Sequence, residues 1–478
     1  MRRLILLSTI LTLTALAPPA AHASKSQESL FQDDAQLLLS GESRRAKSLD
    51  ELKSLGVDVI RVNVLWTRYA PKPNAAKKPS FNAADPASYN FGELDSLVSD
   101  VQSRGMAVLF TVTAPGPAWA SGCKGSANKR RICRPKAGEF GAFTQALGSH
   151  FASVHRWSVY NEPNQGGWLT PQYVRRGGGW VRESPTIYRG LVRAATSALA
   201  ASGHGSDQIL LGETAPIGRT SGSHFKRTSA PVDFYRDLFC LNSRGGALSG
   251  KAAKIRGCNG FKKLAVTGVA HHPYTRGAGQ NPRSRPGRSD ITLSTISRLS
   301  LWLDRAARRG RISRGLPIYL TEYGVQTNPP DRFAGASLGN QAKWLNESDW
   351  MAWNNGRIAS VAQYELRDEP ALPAFQTGLR FKSGKAKPSL AAYRLPIWAV
   401  KRGKSTKIWL QVRPESRIGQ PQQVTVQYRK KGSRKFRNLK TYTVSDGRGF
   451  KRVSTKVRAS YWRFSWNGQH SRAAKPTS

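Results

Sequence analysis

The sequence predicts an α/β fold, a (β/α)8 TIM barrel followed by a small C-terminal antiparallel β-sandwich. Apolar, β-branched runs alternate with longer amphipathic runs between residues 31 and 395, which indicates repeated βα units. No GxGxxG or Walker pattern follows an early strand, and this disfavours the alternative, a doubly wound open sheet. After residue 396 only short alternating strands and turn signals remain, as in a sandwich.

The alternation contains eight strands and eight helices, the number that a barrel with insertions requires. The predicted strands are 31–34, 57–66, 107–114, 156–161, 208–213, 264–272, 317–322 and 360–366. The predicted helices are 43–55, 94–104, 140–153, 186–201, 232–239, 291–309, 341–354 and 388–393. Beyond them, short strands are predicted at 407–412, 423–429, 438–444 and 461–466, with no helix.

The N-terminus is typical of a secretory signal peptide. Met1-Arg2-Arg3 is positively charged, residues 4–17 are an apolar run, and Ala21-His22-Ala23 fits a cleavage site. The run is short for a membrane span and no later run is longer, so no transmembrane segment is expected. We therefore predict a signal peptide over 1–23, a barrel over 24–395, a sandwich over 396–470 and a disordered tail over 471–478. The mature protein is expected to be secreted, extracellular or associated with the cell wall.

Charge is the unusual feature of the composition. Among 478 residues, 75 Lys and Arg face 29 Asp and Glu, a formal net charge of +46, so the protein should be attracted to anionic surfaces. Residues 396–478 hold 21 Lys and Arg but only Glu415 and Asp446 as acids, a net charge of +19. The sandwich is predicted to hold the protein on an anionic cell-wall or acidic polymer; alternatively, it only covers one flank of the barrel. No nucleic-acid-binding module is present, and a monomer is expected.

The four cysteines form two local pairs in sequence, Cys123 with Cys133 and Cys240 with Cys258. In an oxidising compartment the leading interpretation is two disulfides that close short loops. The alternative, a metal site, is disfavoured because neither pair has zinc-finger spacing and no histidine is interleaved.

Two glutamates follow strands of the predicted barrel at the ends where barrels carry reactive groups. Glu162 ends the fourth strand and Glu322 ends the seventh. Glycoside hydrolysis needs such a pair, one carboxylic acid to protonate the leaving oxygen and one carboxylate to attack the anomeric carbon. The alternative is that both are solvated loop residues, the usual environment of Glu.

These motifs resemble glycoside hydrolase clan A, the cellulase-like retaining barrels, over about residues 30–395. Asn161-Glu162-Pro163 matches the acid/base motif of that clan, and Thr321-Glu322-Tyr323-Gly324 matches its nucleophile motif. The resemblance implies that Glu162 is the acid/base and Glu322 the nucleophile. It also implies that Asn161 donates a hydrogen bond to the sugar 2-hydroxyl.

Two further polar pairs lie on predicted strands. Arg61 and Asn63 share one face of the second strand, and His272 and Tyr274 share a face at the end of the sixth. By the resemblance, Arg61 keeps the nucleophile ionised and Tyr274 donates a hydrogen bond to it. The alternatives are a salt bridge in the barrel floor for Arg61, and a capping or packing role for the other pair. His271 is expected to point into the layer between strands and helices.

Aromatic residues near strand ends could stack on sugar rings or pack in the core. Candidates for the first role are Trp119 and Trp168, with Trp66 and Trp180 as similar cases. The clan usually has an aromatic residue at the end of strand eight, where this sequence offers only Tyr364. This departure leaves the substrate open.

The predicted function is therefore that of a secreted retaining glycoside hydrolase that cleaves a poly- or oligosaccharide by double displacement, without cofactor or metal. The alternative is a catalytically inactive barrel that acts as a cell-wall or polysaccharide-binding protein.

Overall fold

The computed structural model describes Ser24, residues 26–371 and residues 374–478. The predicted signal peptide over 1–23 lies outside the described residues. Within them, no helix combines the length and the apolar character needed to cross a lipid bilayer.

Eight parallel strands close into a barrel in which β1 pairs with both β2 and β8, so the predicted fold class is confirmed. All eight predicted strands are present, with ends shifted by a few residues. They are β1 (Glu28–Gln32), β2 (Val59–Leu65), β3 (Ala107–Thr113), β4 (Arg156–Val159), β5 (Gln208–Thr214), β6 (Gly268–His271), β7 (Ile318–Leu320) and β8 (Ile358–Tyr364).

A helix follows each strand on the outside of the barrel, as predicted. These helices are α1 (Glu42–Ser54), α2 (Gly92–Gln102), α3 (Ala137–His150), α4 (Ser184–Ala201), α5 (Pro231–Leu238), α6 (Ser297–Arg308), α7 (Leu338–Trp353) and α8 (Pro388–Arg394). The sequence analysis missed an antiparallel hairpin after β4, formed by Tyr173–Arg176 and Gly179–Arg182.

The barrel interior is apolar at the bottom and polar above. Val59, Leu109 and Leu210 pack in a buried cluster near the N-terminal ends of the strands. Side chains of a strand alternate between its two faces, so Arg61 lies on the same face as Val59, one layer higher. The inward-facing polar residues thus lie nearer the C-terminal ends of the strands, the end where barrels carry their active sites.

The C-terminal region forms two antiparallel sheets that enclose their own apolar core. The sequence analysis missed the strands Ile397–Arg402, Phe450–Thr455 and Gln469–His470 and the one-turn helix Glu415–Ile418. Basic residues interrupt the apolar alternation of the first two strands. One sheet contains β9 (Ile397–Arg402), β10 (Ser405–Gln411) and β13 (Phe450–Thr455). The other contains β11 (Gln422–Arg429), β12 (Arg437–Val444), β14 (Tyr461–Trp466) and β15 (Gln469–His470).

Residues 471–478, for which the sequence predicts a disordered tail, form backbone hydrogen bonds with the sandwich. The backbone N–H of Ala474 donates to the carbonyl of Trp462 at 2.7 Å, and the N–H of Lys401 donates to the carbonyl of Thr477 at 2.7 Å. The tail thus supplies backbone partners to β9 and β14. Such pairing satisfies edge-strand groups and needs no apolar pattern in the tail itself.

The sandwich contacts the barrel at the N-terminal ends of β2 and β3. Arg417 and Arg448 both bind Asp58, which directly precedes β2, and the Arg417 guanidinium also donates to the carbonyl of Gly105 before β3. Gly56 faces the Arg413 backbone so closely that a Cβ there would lie 2.2 Å from the carbonyl oxygen. The two units therefore share a close-packed interface.

Arg413 is the buried cation of this interface, and its removal should destabilise the protein. Its guanidinium binds Asp349 at 2.8 Å and the Ser29 hydroxyl at 3.0 Å. We expect Arg413→Ala to lower the free energy of unfolding by about 3–5 kcal/mol, because Asp349 would remain buried without its cation. Denaturant titration against Arg458→Ala, an exposed arginine of the same unit, measures the difference. Equal stability of the two variants would contradict this expectation.

Both predicted disulfides are present. Cys123 and Cys133 are joined with a Cα–Cα distance of 5.9 Å, and Cys240 and Cys258 with a Cα–Cα distance of 5.7 Å. No cysteine of the chain is left free. The first disulfide closes part of the loop after β3, and the second ties the segment after α5.

Candidate active site

Glu162 and Glu322 meet above the C-terminal end of the barrel, although they are 160 residues apart in sequence. One carboxylate oxygen of each lies within 4.8 Å of the other and of a nitrogen of His272. Both follow the ends of short strands, β4 and β7, where the backbone leaves the sheet. The geometry thus brings the two carboxyl groups close together at this end of the barrel, beside the imidazole of His272.

Arg61 lies under the two glutamates and is completely buried. Its Nη1 donates to Glu322 Oε1 at 2.8 Å, and its Nη2 donates to Asn161 Oδ1 at 2.7 Å. Burial raises the pKa of Glu322, while the positive charges of His272 and Arg61 counteract this rise. Arg61 is therefore in contact with Glu322, as predicted, and also belongs to a buried salt-bridge network.

Glu213 is the other anion of this network, and the sequence analysis missed it. It is fully buried at the end of β5, pairs with Arg61 and accepts a hydrogen bond from Thr111 Oγ1 at 3.1 Å. The sequence does place Glu213 at the end of a predicted strand, as it does Glu162 and Glu322, and this position could have marked it as a candidate site residue. Gln32, at the end of β1, also accepts a hydrogen bond from Arg61.

The backbone around these carboxylates adopts conformations that non-glycine residues rarely take. Tyr160, Glu162 and Glu213 have φ angles of 74°, 41° and 69°. Such left-handed residues persist only where the surrounding structure holds them, and they are common at active sites. Hydrogen bonds do so here: the Glu162 N–H donates to the Glu213 carbonyl at 3.0 Å, and Tyr160 bonds to Val112.

His272 joins the two glutamates. Its Nδ1 lies 3.1 Å from Glu162 Oε1 and 3.5 Å from Glu322 Oε2. Burial alone would lower the pKa of His272, but Glu322 and Glu162 together raise it. An imidazolium can therefore share its proton between the two carboxylates. Gln165 Nε2 donates to the other Glu162 oxygen at 2.6 Å.

His271, the last residue of β6, and Tyr274, three residues beyond it, differ in direction, as predicted. His271 points away from the cleft and contacts Thr214 Oγ1 at 2.8 Å and the Ile291 carbonyl at 2.9 Å. Burial lowers the pKa of His271 to about 3, so it is neutral. Tyr274 points into the cleft, where its hydroxyl donates to Glu322 Oε2 at 3.4 Å.

The floor of the cleft beside Arg61 is polar. Asn63 Oδ1 accepts from Arg61 Nη2 at 3.2 Å, and Asn63 Nδ2 donates to Asp34 Oδ2 at 3.2 Å. Asp34, after β1, was not predicted. Asn161 uses its Oδ1 for Arg61, and within the described residues its Nδ2 makes no hydrogen bond. This amide is therefore available as a donor to a ligand.

The predicted aromatic residues separate into different environments. Tyr364 is half-buried at the end of β8 and meets Phe375 edge to face at 5.0 Å; Phe375, 40% exposed, was not predicted. Trp168 is half-buried and packs against the barrel core. The expectation for Trp119 is wrong, because it is 2% exposed, packs on Trp66 and donates its indole N–H to the Pro71 carbonyl at 3.0 Å.

Two clusters of the described residues contain groups that could hold a metal ion. One is Glu162, His272 and Glu322. The other is His155, His204 and Asp207 at the opposite end of the barrel, where both imidazoles turn Nδ1 toward the aspartate at 3.1 and 2.6 Å. His204 Nε2 also contacts the Gly148 carbonyl at 2.9 Å. These contacts are hydrogen bonds between the two imidazoles, the aspartate and the backbone.

Comparison with known proteins supports the architecture. No protein-family model and no curated protein matches the sequence. A glucosidase from Croceicoccus marinus is 11% identical and similar in structure over 94% of this chain and 96% of that chain, with a TM-score of 0.51. The chain shares the overall fold of that glucosidase.

Weaker likenesses include further glycoside hydrolases. A family 39 enzyme from Bacteroides cellulosilyticus WH2 is 13% identical, with a TM-score of 0.49 over 81% of this chain and 68% of that chain. A family 39 β-xylosidase from Caulobacter crescentus is 15% identical, with a TM-score of 0.48 over 86% and 84%. The barrel of eight parallel strands, together with the match to the glucosidase, confirms the predicted resemblance to clan A barrels as a likeness of fold.

Proposed function

We propose that the protein is a retaining glycoside hydrolase that acts on a poly- or oligosaccharide by double displacement. The observation that carries the proposal is the separation of Glu162 and Glu322, with carboxylate oxygens within 4.8 Å. Retaining enzymes hold their two carboxyl groups about 5–5.5 Å apart, whereas inverting enzymes need about 6.5–9.5 Å for an intervening water.

In the first step, a Glu322 oxygen forms a bond to the anomeric carbon as the bond to the leaving oxygen breaks. The leaving oxygen takes that electron pair together with the proton of Glu162. Arg61 supports the carboxylate form of Glu322 through its 2.8 Å contact. His272 and Gln165 orient the Glu162 carboxyl group by hydrogen bonds at 3.1 and 2.6 Å.

In the second step, Glu162 removes a proton from water, and the water oxygen attacks the anomeric carbon. The bond to Glu322 breaks and the carboxylate is restored, so the product keeps the configuration of the substrate. The free amide of Asn161 is placed to bind a sugar hydroxyl. Resemblance to clan A assigns it the 2-hydroxyl, where such a bond strengthens in the transition state.

The configuration of the first product tests the proposal. With a panel of aryl glycosides and polysaccharides, ¹H NMR of a productive reaction should show the retained anomer before mutarotation. Reducing-sugar release should fall by about 10²-fold or more for Glu162→Gln on polysaccharide, where the leaving group needs its proton. An inverted first anomer would contradict the mechanism. Glycan binding without turnover by the wild type would favour an inactive, polysaccharide-binding barrel instead.

We also propose that the protein is exported and that the sandwich attaches it to anionic polymers. Its two acids, Glu415 and Asp446, leave most of the positive charge of its 21 Lys and Arg without an opposite charge in the same unit. Exposed lysines lie on the loop between β11 and β12, among them Lys430, Lys431 and Lys435.

Retention on polygalacturonate-agarose should therefore fall as NaCl rises from 20 to 200 mM. At about 0.1 M salt the Debye length is about 10 Å, and attraction between exposed charges over longer distances is screened. A triple Lys→Gln variant at 430, 431 and 435 should elute at lower salt than the wild type. The control carries the same loss of charge on α1, through Arg44, Lys47 and Lys53→Gln, all exposed. Salt-independent retention, or equal elution of both variants, would contradict this role.

A further inference from the structure

The hairpin after β4 presents an aromatic and basic face to solvent. Cross-strand pairing sets Tyr173 opposite Arg182 and Arg175 opposite Trp180, so these four side chains share one face. Trp180 is 52% exposed, unusual for so large an apolar side chain. Its neighbour Val181 points to the other face and is buried, which fixes the orientation of the hairpin.

A histidine from the loop after β5 covers one side of Trp180. The rings of Trp180 and His224 stack with centroids 3.9 Å apart and planes 5° from parallel. Tyr173 meets the same imidazole edge to face at 5.9 Å. We call Tyr173, Trp180 and His224 the aromatic ledge. His224 covers one face of the Trp180 indole, and the rest of the indole stays exposed, so that a ring of a ligand can pack on it.

Four arginines lie beside the ledge, and they differ in whether they have an acidic partner. The Arg227 guanidinium lies 5.0 Å from the centre of the Tyr173 ring, and Arg175 lies on the Trp180 face of the hairpin. Arg176 and Arg182 are paired with acids, but in the described part of the chain neither Arg175 nor Arg227 forms a salt bridge. Segments 114–136 and 215–230, the loops after β3 and β5, hold nine Lys and Arg and no Asp or Glu.

The ledge is tied to the segment that carries Glu162. Gln172 Nε2 donates to the Pro163 carbonyl at 3.0 Å, and the Ser229 N–H donates to the Asn164 carbonyl at 2.8 Å. Gly166 faces the Lys226 backbone so closely that a Cβ would lie 2.0 Å from its carbonyl oxygen. The ledge is therefore connected to the segment of Glu162, whereas Tyr364 ends β8 and Asp34 follows β1 on the other side of the barrel.

We propose that the aromatic ledge, with Arg175 and Arg227, binds an anionic sugar residue on the leaving-group side of the scissile bond. This assignment of the subsite rests on the proposed function, because Glu162 defines the leaving-group side as the group that protonates the leaving oxygen. The C–H face of the sugar packs on the indole of Trp180, and its carboxylate or sulfate group pairs with the guanidinium groups. The substrate class is thus an acidic polysaccharide.

Calorimetry tests the ledge independently of turnover. The full-length Glu162→Gln protein is titrated with pentagalacturonate, with a sulfated carrageenan oligosaccharide of similar length and with neutral xylopentaose. We expect one of the anionic ligands to bind more tightly than xylopentaose, and which one binds assigns a carboxylate or a sulfate. Adding Trp180→Ala should weaken that binding about tenfold or more, as for an aromatic anchor of a binding site.

Adding Arg175→Gln with Arg227→Gln should weaken binding of the anionic ligand and reduce its dependence on NaCl. Phe333→Ala and Arg332→Gln are matched controls, because this exposed aromatic and its arginine lie on the loop after β7. They should change affinity less than twofold. The basic sandwich is the same in every variant, so differences between variants report the ledge.

Absence of binding by both anionic ligands, or equal affinity of the parent, the Trp180 variant and the double arginine variant, would overturn the proposal. If the wild type hydrolyses no glycan while the ledge variants lose binding, the hydrolase function fails and the anionic binding site stands. If turnover occurs and the ledge variants bind normally, the ledge assignment fails alone.

Discussion

Glu322→Gly should abolish turnover while the protein stays folded. The side chain lies two residues beyond β7 and faces the cleft, so it contributes little to the core, but without its carboxylate no covalent intermediate can form. We expect kcat/KM to fall by about 10⁴-fold or more, as when other nucleophiles are removed. Far-ultraviolet circular dichroism and thermal unfolding check that the fold is retained.

Added azide should restore cleavage of an activated aryl glycoside by the Glu322→Gly variant. A single displacement then replaces two, so the glycosyl azide should have the inverted configuration. Glu162→Gly should keep its first step when the leaving group needs no proton, and its azide product should have the retained configuration. Near-normal activity of the Glu322 variant, or the opposite stereochemistry in the two variants, would show that the roles are wrongly assigned.

Arg61→Met should move the acidic limb of the pH–rate profile to higher pH. Arg61 lowers the pKa of Glu322, which burial raises, and the reaction requires the carboxylate form of Glu322. Without Arg61 the carboxylate forms only at higher pH, so kcat/KM at pH 5 should fall about 10²-fold or more, with partial recovery on the alkaline side. The profile of kcat/KM, which reports groups of the free enzyme, measures the shift.

Stability and chemistry can be separated in this experiment. Removing Arg61 alone leaves Glu213 buried without its cation, at a cost of about 3–5 kcal/mol in the free energy of unfolding. The double variant Arg61→Met with Glu213→Gln removes that uncompensated charge, so it should regain part of the stability. The shifted acidic limb should remain in the double variant. A limb at the wild-type pH in both variants would exclude an electrostatic role for Arg61.

The fold was predictable because most barrel strands, such as β2 and β3, are local apolar runs. Placing Glu162 and Glu322 at two strand ends was enough to predict that they lie close together, because the C-terminal ends of all barrel strands lie at the same face of the barrel. The orientation of Trp119 was not predictable, because the loop after β3 decides whether an indole faces the cleft or the core. Glu213 was missed for a different reason: a strand-end glutamate that pairs inward has the same local sequence as a solvated one.

The contacts of Arg417 and Arg448 with Asp58 have a consequence for how the protein would work on a solid material. They hold the sandwich against the ends of the strands remote from Glu162 and Glu322. A polymer bound by the sandwich and a polymer in the cleft therefore lie at opposite ends of the barrel and belong to different chains or to distant parts of one chain. Attachment would leave the cleft open to neighbouring chains, so that an immobilised molecule could cleave the network around its point of attachment while the attaching strand stays intact.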